Sequence, residues 1–234
     1  MKINKPFLIL ILAVFFNSCS VINKTSRTDL SDGFYIKNPG EKVYVFVLEN
    51  EVLIYPANKS EGKMSVEKSS ISNNFPPEDV HNHNESAKLK QISFDVDFIT
   101  VPLKYRNSQN GVEPQLNTEI NASIYFGLRK DRYHIGYIEN PLGIKYREIK
   151  HFGFSLGLFT GLGSSAITPT TTNDFINHEY DGIIWNKGLA GIFALNSFTL
   201  GVALGFDNLL DRNRSIWIYE SKPWLGFTLG LNIN

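Results

Sequence analysis

"FTLGVALGF", Phe198 to Phe206, alternates without a break: Phe198, Leu200, Val202, Leu204 and Phe206 fall on one side of an extended chain, and Thr199, Gly201, Ala203 and Gly205 on the other. "LGFTLGLNI", Leu225 to Ile233, repeats the pattern. What the bulky face touches decides the fold. In a soluble sandwich or barrel the second face would carry Lys, Glu, Thr and Asn. Here it is largely Gly, Ala, Ser and Thr, a poor face for solvent but a suitable lining for a narrow closed barrel whose walls approach closely. The bulky residues then face lipid, and closure is required because an open edge in hydrocarbon leaves backbone groups unsatisfied. The soluble alternative is a lipocalin-like cup on a lipid anchor, with the apolar face turned in around a ligand. Its outer wall would be glycine-rich and nearly uncharged, which favours the membrane barrel.

The same alternation recurs upstream. "ISFDVDFITVPLKY" sets Phe94, Val96 and Phe98 against Ser93, Asp95 and Asp97, and Pro102 then disturbs the register as an edge or bulge would. "TEINASIYFGL", "YHIGYI", "HFGFSLGLFTGLG" and "DGIIWNKGLAGIFAL" follow, with "RKDR" (Arg129 to Arg132) read as a tight connection. With the two C-terminal segments this gives seven strands over 91–234. An even barrel needs one more, and "EKVYVFVLENEVLIYP" (41–56), a strand or hairpin, is its natural source. The expected fold is therefore all-β, a small antiparallel transmembrane β-barrel of about eight strands. In that scheme the last strand runs inwards and the strand from Ile92 does too. Asn196-Ser197 is then a periplasmic turn, and 164–180 and 207–223 are surface loops. Residues 57–90, rich in Ser, Asn, Lys and Glu, are a polar loop or linker and a third surface loop. Tyr133, Tyr137, Trp185, Trp217, Tyr219 and Trp224 lie near strand ends, where rings meet headgroups.

Before the barrel, Lys2 and Lys5 precede an apolar run from Phe7 to Phe16 that fits a cleaved signal peptide (1–18) and is too short to span a bilayer. "FNSC" follows, and Cys19 is the only cysteine. Its thiol would take a diacylglyceryl group and its freed amine a further palmitate-type chain, giving stable anchoring. Residues 19–40 are then a polar lipidated tether. The expected location is the outer membrane of a Gram-negative envelope, anchored in its inner leaflet. The expected partners are outer-membrane lipids, the barrel-assembly and lipoprotein-sorting machinery, and an unknown surface ligand. The 23 basic and 23 acidic residues balance, so nothing points to nucleic acid.

The lipobox-like "NSC", "FDVDFITVPLKYR" (Phe94 to Arg106), "EYDGIIWNKGLAG" (Glu179 to Gly191) and "WIYESKPWLGFTLGLNI" (Trp217 to Ile233) together resemble outer-membrane β-barrel lipoproteins of Bacteroidota-type bacteria. The resemblance covers roughly Leu30 to the C-terminus and implies a fold and a location but no reaction. The chain departs from the general barrel pattern at its end, where Asn232-Ile233-Asn234 replaces a closing aromatic.

Asp95, Asp97, Glu119 and Asn121 share the inward parity, as does Arg129, so a polar network in the lumen is expected, with Arg129 in parity with Glu119. No catalytic set is legible: His134, His151 and His178 are scattered, and no nucleophile-elbow, zinc-protease or phosphate-loop motif occurs. His81-Asn82-His83 lacks a third ligand, so neither metal nor cofactor is expected. The expected function is a structural or partner-binding barrel lipoprotein. The alternative is an envelope-lipid hydrolase or acyltransferase, for which His134 and His151 are the best catalytic candidates.

Overall fold

A computed structural model describes residues 30–60, 63–67, 70–79, 85–195 and 198–231. The signal peptide, Cys19, the first part of the tether, His81 to His83 and the terminal Asn232 to Asn234 lie outside the described residues. The strands are β1 (Gly33–Lys37), β2 (Glu41–Val47), β3 (Val52–Ser60), β4 (Lys63–Val66), β5 (Asn73–Phe75) and β6 (Ala87–Arg106), then β7 (Gln115–Thr118), β8 (Asn121–Glu139), β9 (Lys145–Ile167), β10 (Tyr180–Leu195), β11 (Phe198–Leu209) and β12 (Pro223–Leu231). Among the described residues there is no α-helix, and no helix long and apolar enough to cross a membrane. The fold is all-β and antiparallel, as expected.

The hydrogen-bonding order is β12-β11-β10-β9-β8-β6-β1-β2-β3-β4, and β12 also pairs with β6. Six strands (β6, β8, β9, β10, β11 and β12) therefore form a closed circuit. The expected count was about eight, and two corrections account for the difference. "RKDR" is mid-strand: Arg129 to Arg132 pair on one side with Ser93 to Lys90 and on the other with Ser155 to Phe152. The strand continues because Arg129 and Asp131 pair in the interior while Lys130 and Arg132 point outwards. Residues 41–56 do not join the circuit, because β2 and β3 form a hairpin that reaches it only through β1. Consequently β6 runs opposite to β12. The described residues of 57–90, which carry the end of β3, β4, β5 and the start of β6, lie at the end remote from the connections 168–179 and 210–222.

The bulky face points out. Val202 and Leu204 are 54% and 48% exposed, while Ala203 between them is 1% exposed. Phe94, Leu128, Leu156, Leu189 and Leu225 project outwards on the other strands of the circuit. The interior is filled by Tyr125, Phe159, Ile192 and Trp224. Gly205, directly across from Trp224, is what lets that indole lie in the interior, since a Cβ there would overlap it. This orientation is the reverse of what a cup with an apolar lining requires. Outside the circuit the inner face is apolar as well: β1, β2, β3 and β5 pack against β6 and β8 around a core of Tyr35, Val43, Val45, Ile54, Phe75 and Leu89, with Phe34, Ile36 and Phe46 exposed on the other face.

Pro102 marks a β-bulge. Thr100 pairs with Leu229 and Leu103 with Phe227, so Val101 and Pro102 together oppose Thr228. Up to Val101 the odd residues of β6 face inwards; beyond Pro102 the even residues Lys104 and Arg106 do. The Asn121 side chain replaces the ladder bonds the bulge loses, accepting from the Val101 amide and donating to its carbonyl, both at 2.7 Å. Asn121→Ala would leave both buried groups unpaired and should cost about 2–4 kcal/mol, seen as a lower urea midpoint, whereas Ala122→Ser on the exposed face should change it little.

Candidate functional site

The most concentrated polar chemistry is an ion network inside the circuit, next to the connection 210–222. The bulge turns Lys104 and Arg106 inwards; Glu119 follows β7, and Asp207 comes from β11. Lys104 Nζ lies 2.7 Å from Glu119 and 3.1 Å from Asp207. Arg106 Nη2 donates to Glu119 at 2.8 Å and to Asp207 at 2.5 Å. Ser165 Oγ adds a 2.9 Å bond to Glu119. All four charged side chains are 3% exposed or less. Aromatic rings close the shell: Trp224 lies 4.6 Å from Lys104 Nζ, and Trp217 and Tyr219 lie 5.4 and 5.1 Å from the Arg106 guanidinium carbon. Two cations against two anions make the cluster neutral, which is the condition for keeping charges at that depth.

A second cluster sits nearer the N-terminal sheet. Asp131 Oδ1 accepts from Arg129 Nε at 2.9 Å and lies 2.6 Å from His151 Nε2, and Arg129 also approaches Asp95 at 3.8 Å. The His151 ring stacks on Tyr133 with 4.6 Å between centroids. Between the clusters, Ser123 bonds Asn186 and the Tyr125 hydroxyl bonds Ser155, at 2.7 and 2.8 Å.

All five residues expected in a lumen network, Asp95, Asp97, Glu119, Asn121 and Arg129, face inwards, but they do not form one group. Arg129 meets Asp95 and Asp131 rather than Glu119, which lies ten positions away along an extended chain, about 33 Å. Asn121 serves the bulge. The sequence reading missed Lys104 and Arg106, because straight alternation from Asp97 puts them outside; only the Pro102 disturbance signals the reversal. It also missed Asp207, read as the start of a loop although β11 continues to Leu209. The six aromatics do not behave as one belt: Tyr133, Trp217, Tyr219 and Trp224 are buried, Tyr137 is partly so, and Trp185 faces out at 41% exposure. The exposed Tyr105 joins it.

The two histidine candidates for catalysis do not come together. His134 is exposed on the outer face and His151 is buried on the inner one, so the two candidates lie on opposite sides of the wall. At the loop end, Tyr180 donates to Asp211 and accepts from Asn213, both at 2.8 Å, beside a groove of about 460 Å³ that His178 and Arg212 also line. Comparison with protein-family models, curated proteins and solved structures gives no match.

Asp207→Ala leaves two cations sharing one carboxylate and should destabilise by about 3–5 kcal/mol. Lys104→Met combined with Asp207→Leu keeps the remaining Arg106–Glu119 pair balanced and should cost less than the single change, as judged by urea unfolding of both variants. A pH effect is expected in the connection 210–222. Burial alone would push the Glu220 carboxyl up, but bonds from Asn208, the Leu209 amide and Arg214 outweigh it and hold it below the ordinary glutamate value. The stabilisation is therefore complete above that ordinary value, about 4.3, and is lost as pH falls through the depressed one. A fluorine-labelled Trp217 should report loosening of its surroundings in that acid window, and Glu220→Gln should weaken the pH response.

Proposed function

We propose that the chain is an outer-membrane β-barrel lipoprotein of the Bacteroidota type, with a structural or partner-binding role, inserted through its six-strand circuit and anchored through Cys19. The observation that carries this reading is the inversion of polarity across one wall: bulky apolar side chains outside, ion pairs and small residues inside. Water would leave the outer band uncovered, whereas lipid covers it and leaves every charged group of the network paired within. The band's height fits. Outward apolar positions run from Phe152 to Leu162 on β9, matching the roughly 9–11 residues a tilted strand needs, and over a somewhat longer stretch from Ile92 to Tyr105 on β6, which includes the bulge. Lys187, the outward charge near one margin, lies 3.9 Å over the Trp185 ring, and the indole N–H bonds Thr160 at 2.8 Å.

Loop lengths orient the barrel. The connections 107–114, 168–179 and 210–222 share one end, and the shorter 140–144 lies at the other, where β10 ends at Leu195 and β11 begins at Phe198; Asn196-Ser197, expected as a turn, lies outside the described residues. Long loops outside and short turns inside put the N-terminal sheet on the periplasmic side. Leu30, buried in that sheet's core, is eleven residues from Cys19, a reach of at most about 40 Å, so an anchor in the inner leaflet suits the same orientation. Tyr125, Phe159 and Trp224 fill the interior, which argues for a plug-like body with ligand-facing loops rather than a conducting pore. Assembly and sorting machinery would deliver the protein, and a surface ligand would meet the loop end.

Spin labels at Leu204→Cys and Leu229→Cys should relax with lipid-soluble oxygen and resist aqueous quenchers, and the folded protein should migrate anomalously on gels until heated. Free access of aqueous quenchers to both labels would rule out the membrane reading.

A further inference from the structure

Outward side chains on β6, β8 and β9 fall into rows fixed by the strand register. Lys88, His134 and Lys150 form one row, Lys90, Arg132 and Phe152 the next, then Ile92, Lys130 and Phe154, and above these Phe94, Leu128 and Leu156. Six basic or imidazole side chains thus collect on three adjacent strands where the apolar band ends. Their inward neighbours Leu89, Tyr133 and His151 are buried, and they form the floor of the groove that the patch lines. Among the described residues only Lys150 of the six has an ion-pair partner, Glu148 at 3.0 Å, with Lys150 itself 66% exposed. The groove, of about 430 Å³, runs through the patch between Lys88, Arg132, His134 and Lys150, with Phe152 in its wall.

From this juxtaposition we infer that the groove binds the phosphate of an anionic membrane phospholipid, whose acyl chains lie along Ile92, Phe94, Phe152 and Phe154. The inference rests on the membrane reading above. Cations gathered beside an exposed apolar wall match a molecule that carries phosphate and hydrocarbon at the same spacing. Arg132 offers a planar fork for two phosphate oxygens, while Lys88, Lys90 and Lys150 act as point charges around it. Within the proposed orientation the patch faces the periplasmic leaflet, the same one that would hold the Cys19 chains. It therefore selects a leaflet lipid, and it fixes how deep the barrel sits by marking where hydrocarbon stops.

The test uses the full-length protein in nanodiscs of equal-chain phosphatidylglycerol and phosphatidylcholine, followed by detergent extraction and mass spectrometry of the lipids that remain bound. Phosphatidylglycerol should be enriched roughly fivefold or more over its bulk fraction, and the enrichment should weaken with salt. Lys88→Gln with Arg132→Gln and Lys150→Gln, all exposed positions, should bring it close to the bulk ratio while gel migration stays heat-modifiable. No enrichment in the parent protein, or undiminished enrichment in the triple variant, overturns the inference. So does inorganic phosphate displacing the lipid, which would mark a free-phosphate site. Insertion is scored separately in pure phosphatidylcholine with the Leu204 label. Failure there removes the membrane reading and this inference together, whereas insertion without preference removes only this one.

Discussion

The structure turns on a reversal of two residues. At Val101 and Pro102 the chain advances one position relative to β12, and everything beyond changes face. Without that step Lys104 and Arg106 would stand outside among Phe227, Leu225 and the other exposed apolar residues; with it they meet Glu119 and Asp207. Proline suits the place because it has no amide hydrogen to withhold from the ladder. Asn121 suits it because one amide group can both accept and donate, which restores to Val101 what the bulge takes away. Local backbone chemistry thus decides the position of the buried Lys104–Arg106–Glu119–Asp207 network.

Two kinds of core follow from a single continuous sheet. Around the N-terminal strands apolar residues fill an inward core, and the outer face of β1 and β2 mixes Lys42 with exposed Phe34, Ile36 and Phe46. Within the circuit the outward side is apolar, and the interior alternates between ionic and aromatic layers: Arg129 with Asp131, then Tyr125, Phe159 and Trp224, then the Lys104–Arg106 network, then the cap of Trp217 and Ile218. The two regimes meet on the outer wall where Lys88, Lys90, Lys130 and Arg132 give way to Ile92, Phe94 and Leu128. β6 and β8 carry both regimes, which in the proposed setting would correspond to water at one end and lipid along the rest.

Alternation made most of the fold legible. Leu200 to Phe206 and Phe152 to Leu158 show unaided which side chains share a face, and the burial of Gly201, Ala203 and Gly205 follows. What escaped did so for physical reasons. A charged stretch such as Arg129 to Arg132 reads as a turn because exposed charge is the commonest reason for four such residues together; here the partner His151 comes from β9 and Asp95 from β6, and neither is visible locally. Lys104 and Arg106 were hidden by the bulge, since parity carries across a strand only while the register is unbroken. The aromatics misled because Trp and Tyr suit a headgroup belt and a filled interior equally well, and Gly205, which admits Trp224, is a signal only once its cross-strand partner is known.

The buried charges also explain why such an interior is preferable to a wholly apolar one. If both faces of β11 were hydrocarbon, a slip of one position against β10 would exchange two similar surfaces at little cost. With Asp207 on the inner face, the same slip would turn the carboxylate outwards and Phe206 inwards, and leave Lys104 and Arg106 sharing one partner. In the proposed bilayer setting, a carboxylate moved onto the lipid face near a strand end costs less than a basic residue at the midplane would, so the larger penalty is that of the cation left unpaired inside. The network therefore adds little net stability to the correct register while strongly disfavouring the neighbouring ones. Its four residues come from β6, β11 and the β7–β8 junction, distant in sequence, so the same discrimination that fixes each strand also requires the circuit to close around them.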